Sequence, residues 1–311
     1  NSKPLASRRS RSADSCDVTL NSVEIMSRSY AQLISKHSIC SFQDRGRTGF
    51  QHWGVPVSGP MDIRAWELAN ALVDNNGNEA VLEIGRNALS LRFAAPAYLG
   101  MVAGNDEVTL NGLTTPFSQI KVSKGDVLEF GYAHHLHFRY LAIRGGWQGP
   151  DVLNSKCTLP ALGLPWLQHG AVLPFNTSEI AVEEDHREVL YSPVIPDIPV
   201  VPGPDFHYLD SDRIQNLLKK MTLDHQLSRQ AYGLKEVYPI SGYPKSFASV
   251  GSFPGMIQLT PSGHFYVLMR DAQTTGGYLQ VLYVPSSYLS VLAQAMPGSQ
   301  VGFKLQSDTS F

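Results

Sequence analysis

The sequence predicts a mainly β fold, arranged as sandwiches or barrels, with a few short helices. Residues 80–143 consist of short segments rich in β-branched and aromatic residues, which Gly, Asn and Pro separate at regular intervals. This spacing favours a sandwich or barrel over alternating βαβ units. A tight turn that leads into a strand occurs at 124–130 and again at 297–303, which predicts two related β domains.

The strands of the first domain follow from apolar or alternating runs that end at turn residues. Their predicted ranges are 80–84, 88–93, 97–103, 107–110, 120–122, 127–130 and 136–143. Residues 1–31 are Ser-rich and basic and are interpreted as an extension or tag-like segment, with a strand near 18–26. Because 193–204 is proline-rich, it is predicted to be a linker or an extended edge, so the two domains are placed at 32–200 and 201–311.

Three segments show the spacing of amphipathic helices. Apolar residues recur every three or four positions in 61–73, where Ser58 is the predicted N-cap and Asp62 suits the positive end of the helix dipole. A second helix is predicted at 212–221. A third is predicted at 286–296, where a Pro-Gly pair ends it.

Bulk properties exclude several classes of function. The 311 residues carry a net charge of −2 and are 43% hydrophobic and 17% charged, so the chain is globular, with no basic surplus for nucleic acid or an anionic membrane. No apolar run reaches the roughly 20 residues that span a bilayer, and no phosphate-binding glycine motif for a nucleotide occurs. Three unevenly spaced cysteines, Cys16, Cys40 and Cys157, suit reduced thiols in the cytoplasm.

The histidine cluster does not predict a metal site. His135 and His137 would share one face of a strand while His134 points away, and nothing in the sequence nominates a third ligand. Surface or hydrogen-bonded strand histidines are the preferred interpretation. A nucleophilic triad is also rejected, because neither Cys157 nor any serine lies in a known nucleophile motif.

The stretch 271–278 is the strongest candidate for a ligand-binding site. It lies between two strand-like apolar runs and has more hydrogen-bonding capacity than a hairpin turn needs. Adjacent glycines let the backbone approach a ligand and expose its N–H groups. A wide, well-bonded β-loop is the alternative interpretation. The candidate residues are Asp271, Gln273, Thr274, Thr275, Gly276, Gly277 and Tyr278.

A second polar stretch, 43–49, places an amide, an acid and two guanidiniums around glycines. Asp44 and Arg47 form either a structural ion pair or part of a clamp for a carboxylate or phosphate. Asp62 likewise has a complete structural explanation at the start of its helix.

Taken together, these motifs resemble the biotin-dependent carboxyltransferase or allophanate hydrolase subunit 2 family, which includes KipA-like proteins and the C component of prokaryotic 5-oxoprolinase. The resemblance covers residues 33–305. It rests on ordered motifs at 43–49, 54–62, 69–73, 144–146, 254–263, 271–278 and 293–294.

The resemblance implies two cyclophilin-like β-barrel domains and a subunit that works with others. The expected partners are a KipI-like protein (the B component) and a LamB/YcsF-like protein (the A component), which together open 5-oxoproline to glutamate at the expense of ATP. No covalently bound cofactor is expected, and the assembled complex uses ATP and Mg. The substrate is a small amide or lactam.

Within this resemblance, Asp271, Asp44 and Gln273 are the expected catalytic residues. Arg47 would hold a substrate carboxylate or a phosphate, and amide and backbone N–H groups would stabilise an oxyanion. The remaining expected substrate-binding residues are Gln43, Ser58, Met61, Asp62, Gln258, Thr274, Thr275, Gly276, Gly277 and Tyr278.

Two other functions stay open. In one, the chain is the carboxyltransferase component of a biotin-dependent urea or amide carboxylase, to which a separate carrier brings biotin. In the other, it is a KipA-like regulator that antagonises a kinase inhibitor. The segments 154–158 and 227–234 depart from the family pattern, which favours a changed substrate, weakened activity or a regulatory role.

Overall fold

The computed structural model describes residues 29–38, 40–75, 77–176, 189–192, 195, 197–244 and 248–306. The predicted strand near 18–26 lies outside these residues. The fold is mainly β with three α-helices in the described part, as predicted: α1 at Ile63–Ala71, α2 at Ser211–Leu218 and α3 at Ser286–Ala293. We call residues 29–176 the N-terminal half and residues 197–306 the C-terminal half.

All seven strands predicted between residues 80 and 143 form in the N-terminal half, with boundaries shifted by up to three residues, and four further strands join them at 29–33, 40–43, 113–114 and 172–175. In chain order they are β1 Ser29–Leu33, β2 Cys40–Gln43, β3 Val81–Ile84, β4 Leu89–Phe93, β5 Ala97–Val102, β6 Val108–Leu110, β7 Leu113–Thr114, β8 Gln119–Val122, β9 Val127–Phe130, β10 Arg139–Ile143 and β11 Val172–Phe175. The last predicted strand starts three residues late, because its histidines lie in the loop before β10.

Two sheets enclose the core of this half. One has the order β11-β1-β4-β9-β6-β7 and the other β2-β3-β10-β5-β8. Strand β1 pairs with β11 and β4, so residues 29–31, assigned from sequence to the N-terminal extension, belong to the first sheet. Large side chains such as Phe93, Phe130 and Trp147 fill the space between the sheets.

Helix α1 lies on the outer face of the second sheet. Its buried face includes Trp66, which packs with Tyr140 of β10. The predicted N-cap is wrong: the capping residue is Asp62, whose Oδ1 accepts hydrogen bonds from the N–H groups of Arg64 at 3.1 Å and Ala65 at 3.4 Å. Ser58 lies four residues earlier, so it cannot reach these N–H groups.

The strands of the C-terminal half are β12 Ile198–Pro202, β13 Met221–Thr222, β14 Ala231–Val237, β15 Val250–Gly251, β16 Met256–Leu259, β17 His264–Leu268, β18 Thr275–Gly276, β19 Leu279–Tyr283, β20 Gln300–Val301 and β21 Phe303–Leu305. Its main sheet has the order β14-β17-β16-β19-β12-β21. Helix α3 packs into the core of this half through Leu289 and Leu292.

Residues 198–202 of the proline-rich segment form a strand rather than a linker. Strand β12 lies inside the main sheet, antiparallel to β19 and parallel to β21. Its Ile198 and Val200 are fully buried, so apolar burial outweighs the proline content. The C-terminal sheet therefore begins at Ile198, and a boundary at residue 200 cuts a strand.

The stretch 271–278 does not close a hairpin. Strands β17 and β19, which precede and follow it, both pair with β16 and lie on opposite sides of that strand. Because β17 and β19 are both antiparallel to β16, the stretch runs back from one end of β16 to the other, and Asp271 within it meets the N-terminal half through Arg229.

Buried polar contacts join the two halves. Oε1 of Gln294 accepts from the N–H of Phe138 at 3.0 Å, and its Nε2 donates to Asp62 at 3.0 Å. Met61 packs in the core of the C-terminal half. The N–H of Ile63 donates to Oγ of Ser290 at 3.2 Å. Because these contacts cross the boundary, they hold the halves in a defined arrangement.

Candidate functional site

The guanidinium of Arg229 is the centre of the polar contacts between the halves. It donates to both carboxylate oxygens of Asp271, with Nε–Oδ2 at 2.7 Å and Nη2–Oδ1 at 3.1 Å. Nη2 also donates to the carbonyl of Gly59 at 2.6 Å and to Oε1 of Gln43 at 3.3 Å, while Nη1 donates to Glu83. Burial opposes the charge, but the carboxylates of Asp271 and Glu83 outweigh it and raise the pKa of Arg229 above its usual range.

Main-chain hydrogen bonds place Arg229 beside Asp271. The N–H of Asp271 donates to the carbonyl of Arg229 at 2.8 Å, and the N–H of Met269 donates to that of Gln230 at 2.9 Å. Oγ of Ser228 accepts from the N–H of Gln230 at 3.2 Å and tightens the turn into β14. The ends of β14 and β17 thus bring the two charges together.

Glu83 is the second carboxylate of the site, although it lies on the fully buried strand β3. Its Oε2 accepts from the N–H of Met61 at 2.7 Å and from the hydroxyl of Tyr140 at 2.8 Å. Burial raises the pKa of Glu83, whereas the charge of Arg229 and these hydrogen bonds lower it. The hydroxyl of Tyr140 also accepts from the N–H of Asp62 at 2.8 Å, so the network reaches the start of α1.

The stretch after Asp271 is held against a neighbouring loop. Ser252 donates from its N–H to the carbonyl of Thr274 at 2.9 Å and from its Oγ to that of Gln273 at 2.7 Å. Strand β18 pairs with β15. The outer side of the stretch is exposed at Thr275, Gly277 and Tyr278.

An unused hydrogen-bond donor lies beneath this stretch. Gln258 is 1% exposed, and its Oε1 accepts from Nε2 of Gln273 at 3.3 Å. Its own Nε2 is buried and has no hydrogen-bond partner in the described part of the chain. A Cβ atom at Gly276 would lie 2.8 Å from that nitrogen, so only glycine lets the backbone pass this closely.

Asp44 turns away from Arg229 towards the loop 153–157. Its Oδ1 accepts from the N–H of Gly46 at 2.8 Å, from Oγ of Ser155 at 2.7 Å and from Sγ of Cys157 at 3.0 Å. Its Oδ2 accepts from the N–H of Lys156 at 2.6 Å. Burial and then the charge of Asp44 raise the pKa of Cys157 to about 12, which keeps this thiol protonated as a donor.

Arg47 is occupied by protein groups. Its Nη2 donates to the carbonyl of Cys157 at 2.6 Å, its Nε to that of Val152 at 3.4 Å and its Nη1 to Oγ of Ser58 at 3.5 Å. The side chain is 1% exposed. Ser58 itself has a positive φ of 64° in the turn before α1. Arg47 therefore fixes two loops together.

The remaining predicted residues near α1 serve the connection between the halves. Asp62 is fully buried, and its Oδ2 accepts from the hydroxyl of Tyr191 at 2.6 Å as well as from Gln294. Gln43 donates from Nε2 to Oγ of Ser41 at 3.0 Å. The structure therefore brings Gln43 and Asp271 together through Arg229, and it separates both from the oxygens of Asp44.

A cleft of about 560 Å³ opens on this network. Its lining comes from both halves and includes Glu83 and Arg229. The other lining residues are Ser38, Ser41, Gly85, Arg86, Asn87, Tyr132, His137, Phe138, Trp166, Leu167, Gln168, Leu227 and Ser228. We refer to it as the inter-half cleft. Its volume suits a small ligand.

Sequence reasoning missed Arg229, Glu83 and Tyr140 as members of the site. A carboxylate inside the apolar run of β3 was an available signal, because a charge in a buried strand needs a partner. No local pattern marks the partner itself, since Arg229 lies 146 residues from Glu83 along the chain.

The three histidines contact protein groups through their backbone N–H groups or their rings. The N–H groups of His134 and His135 donate to Oδ1 of Asp106 at 2.8 and 3.1 Å. His137 stacks on Phe138. Across the residues that the structure describes, no three His, Cys, Asp or Glu side chains come close enough to bind a metal ion together. None of the helices described is long and apolar enough to cross a membrane.

Known proteins resemble this chain in sequence and in fold. The chain is 29% identical over 271 residues to the C subunit of 5-oxoprolinase from Escherichia coli (strain K12), covering 84% of this chain and 86% of that protein. The crystal structure of the Kluyveromyces lactis urea carboxylase has a TM-score of 0.79 and 25% identity, over 90% of this chain and 28% of that one. The crystal structure of TTHA0988 has a TM-score of 0.78 at 23% identity and shares the fold, and this chain spans 56% of its length.

The model of one protein family matches residues 53–305, which is most of the chain. It describes the carboxyltransferase domain, subdomain A and B. This match agrees with the relatives and with the order of the motifs at 54–62 and 271–278. The chain belongs to the carboxyltransferase-domain family, subdomain A and B.

Proposed function

We propose that this chain is the C-type subunit of a 5-oxoprolinase, which opens 5-oxoproline to glutamate with KipI-like and LamB/YcsF-like partners and ATP. The observation that carries the proposal is the buried guanidinium of Arg229, which aligns Asp271 and Gln43 from the two most distinctive motifs of the sequence. Similarity to a protein named as the C subunit of 5-oxoprolinase, over 86% of that protein's length, supports it.

Asp271 is the proposed catalytic carboxylate. The two hydrogen bonds from Arg229 fix its orientation, so that it can accept a proton from water attacking the lactam carbonyl. Its side chain is 11% exposed, so it remains within reach of a ligand. Arg229 acts on the reaction through Asp271 and is a positioning residue.

Amide groups are the proposed donors to the lactam oxygen. Nε2 of Gln258 is buried without a partner in the described part of the chain and is therefore free to donate to a developing oxyanion. Gln273 holds the other end of the same amide and supports its orientation. Thr274 and the backbone from Gly276 to Tyr278 form the outer wall of this proposed pocket.

Asp44 and Arg47 take positioning roles in this proposal. The contacts of Asp44 with Ser155 and Lys156, and of Arg47 with Cys157, fix the loop 153–157 against the strand that carries Gln43. Met61 and Asp62 similarly hold the start of α1 against the C-terminal half, while Ser58 contacts Arg47. These residues therefore shape the site without touching the substrate.

The described side chains do not supply a three-ligand set for a divalent cation. We therefore derive no step through Mg, and we assign the handling of ATP and Mg to the assembled complex. We also propose a cytoplasmic location, because Cys40 and Cys157 are buried as free thiols.

Asp271→Asn tests the proposal, because it keeps the shape of the side chain and removes its charge. The measurement is ATP-dependent glutamate release from 5-oxoproline by this chain mixed with KipI-like and LamB/YcsF-like proteins. We expect a loss of about 10²- to 10⁴-fold in rate, while the variant still folds and still forms the complex. The matched control is Asp74→Asn, which changes an exposed acid. Full activity in Asp271→Asn would refute the assignment.

Carboxyl transfer from carboxybiotin to urea or another amide is the second candidate function. The carboxyltransferase family model and the likeness to a urea carboxylase favour it. It requires a biotin-bearing carrier domain, so carrier binding with carboxylated amide as product would replace the first proposal. A complex that forms with the KipI-like protein but has neither activity would instead indicate a KipA-like regulator.

A further inference from the structure

We propose that the inter-half cleft binds the carboxylate of a small substrate through the guanidinium of Arg86. This inference rests on the proposed function and deepens it, because it names the group that recognises the acid. The lactam acid 5-oxoproline and bicarbonate share the oxyanion chemistry that such a group recognises, and the experiment below distinguishes them.

Arg86 has donors that the protein does not use. Its Nε is buried without a hydrogen-bond partner, and no hydrogen bond or ion pair of this side chain occurs in the described part of the chain. Its guanidinium lies 5.1 Å from the centre of the Tyr132 ring, which holds the cation in a cation–π contact. A half-buried guanidinium without an acceptor is unusual, since buried polar groups normally have partners.

The backbone that carries Arg86 is fixed in place. Nη2 of Arg139, a fully buried side chain, donates to the carbonyls of Gly85 at 2.7 Å and Asn87 at 2.8 Å, on either side of Arg86. The carbonyl of Arg86 itself accepts from the N–H of Ala133 at 2.8 Å. The donors of Arg86 are therefore held in position before a ligand arrives, which favours affinity.

Arg86 is the cation of the cleft that remains available to an anion. Two guanidiniums, Arg86 and Arg229, line the cleft together with one carboxylate, Glu83. Glu83 and Asp271 both pair with Arg229, whereas Arg86 has no counter-charge in contact among the described residues. Burial and then the charge of Arg86 lower the pKa of His137, another lining residue, to about 4, so this imidazole is neutral at pH 7.

Hydroxyl and amide groups surround the proposed acid subsite. Ser41, Ser228 and Gln168 line the cleft together with the apolar surfaces of Trp166 and Phe138. A planar carboxylate on Arg86 would leave the remainder of a small ring to contact these groups. The sequence assigned this role to Arg47, but each guanidinium nitrogen of Arg47 already has a protein acceptor.

The test is isothermal titration calorimetry on the full chain with three probes: 5-oxoproline, the neutral ring 2-pyrrolidinone and sodium bicarbonate. The variants are Arg86→Gln and Arg86→Lys. Arg92→Gln, an exposed arginine on β4, is the control for the change in charge. The Nε–H signal of Arg86 in ¹⁵N NMR spectra, assigned by its loss in Arg86→Lys, gives a second readout at the proposed contact.

We expect the wild-type chain to bind 5-oxoproline and to shift the Arg86 signal on binding. Arg86→Gln should weaken this binding by about tenfold or more, the effect of losing a charge-assisted hydrogen bond, and Arg86→Lys should restore part of it. Arg92→Gln should leave it unchanged, and the affinity for 2-pyrrolidinone should not depend on Arg86. If bicarbonate is the only probe whose binding is saturable and depends on Arg86, the result supports the oxyanion site with bicarbonate as its ligand.

Equal 5-oxoproline affinity in wild type and Arg86→Gln, or no saturable binding of either anion by the wild-type chain, would overturn the inference. The experiments distinguish a failure of this inference from a failure of the proposed function. Glutamate release by a complex that carries Arg86→Gln at unchanged KM refutes the inference only. Arg86-dependent binding without glutamate release in any mixture refutes the function only.

Discussion

Replacement of Arg229 by Met removes the cation that two carboxylates share. The variant loses the hydrogen bonds to both oxygens of Asp271, to Glu83, to Gln43 and to the carbonyl of Gly59. Glu83, which is 2% exposed, keeps only the N–H of Met61 and the hydroxyl of Tyr140 as donors among the described residues. Removal of one partner of a buried pair costs about 3–5 kcal/mol, a large part of the roughly 5–15 kcal/mol that stabilises a typical domain.

The loss of stability should depend on pH in a defined direction. Burial raises the pKa of Glu83 in the folded state, and the charge of Arg229 opposes this rise. Without Arg229, the pKa of Glu83 in the folded variant should therefore lie further above its value in the unfolded chain. A raised folded pKa contributes stability below the unfolded pKa, near 4.5, and this contribution is lost as pH rises through the folded value. The difference from wild type should therefore be larger at pH 8 than at pH 5.

The assay is urea unfolding at both pH values, followed by tryptophan fluorescence, on four chains: wild type, Arg229→Met, Glu83→Gln and the double variant. We expect a coupling energy of about 2–3 kcal/mol between the two positions, because the neutral amide removes the unpaired charge. Arg144→Met is the control, since its 3.0 Å pair with Asp74 lies at the surface and is worth about 0–1 kcal/mol. A cost below about 1 kcal/mol for Arg229→Met, or a coupling near zero, refutes the reasoning.

Two further predictions concern the surroundings of the site. Burial and Arg86 lower the pKa of His137 to about 4. The contribution of His137 to stability is therefore present above pH 6.5 and is lost as pH falls towards 4. Unfolding measured at pH 7 and at pH 4.5 should show that His137→Gln removes about 2 kcal/mol of this pH dependence. Gly276→Ala places a Cβ 2.8 Å from Nε2 of Gln258 and should lower the rate of glutamate release and destabilise the fold by about 1–3 kcal/mol. In Gly251→Ala the added Cβ has no atom within 4 Å, so this variant should change neither the rate nor the stability. Equal melting temperatures for the two alanine variants would contradict the steric argument.

Local patterns sufficed for most secondary structure. The seven strands predicted at 80–143 and the three helices appear where apolar spacing placed them, because these spacings reflect which face of an element can be buried. The errors occurred where two local explanations were equally good. Ser58 and Asp62 both have capping side chains, and the positive φ of Ser58 in the preceding turn leaves Asp62 as the cap.

The prolines of 193–204 misled the sequence interpretation for a related reason. They resemble a linker in composition, but the buried Ile198 and Val200 between them belong to a strand that pairs with β19 and β21. Strand pairing depends on neighbours about 80 and 100 residues away along the chain, which a local window does not contain.

The sequence by itself determined the mainly β class, the family and the two polar stretches that carry Gln43 and Asp271. Only the tertiary structure decided which charged groups remain available to a ligand. Arg47 and Arg86 look equivalent as residue types, yet the first is bonded to carbonyls more than 100 residues away and the second has no acceptor among the described residues. Whether a buried donor is satisfied depends on what folding brings beside it, because hydrogen bonds act over about 3 Å of space, whatever the separation along the chain.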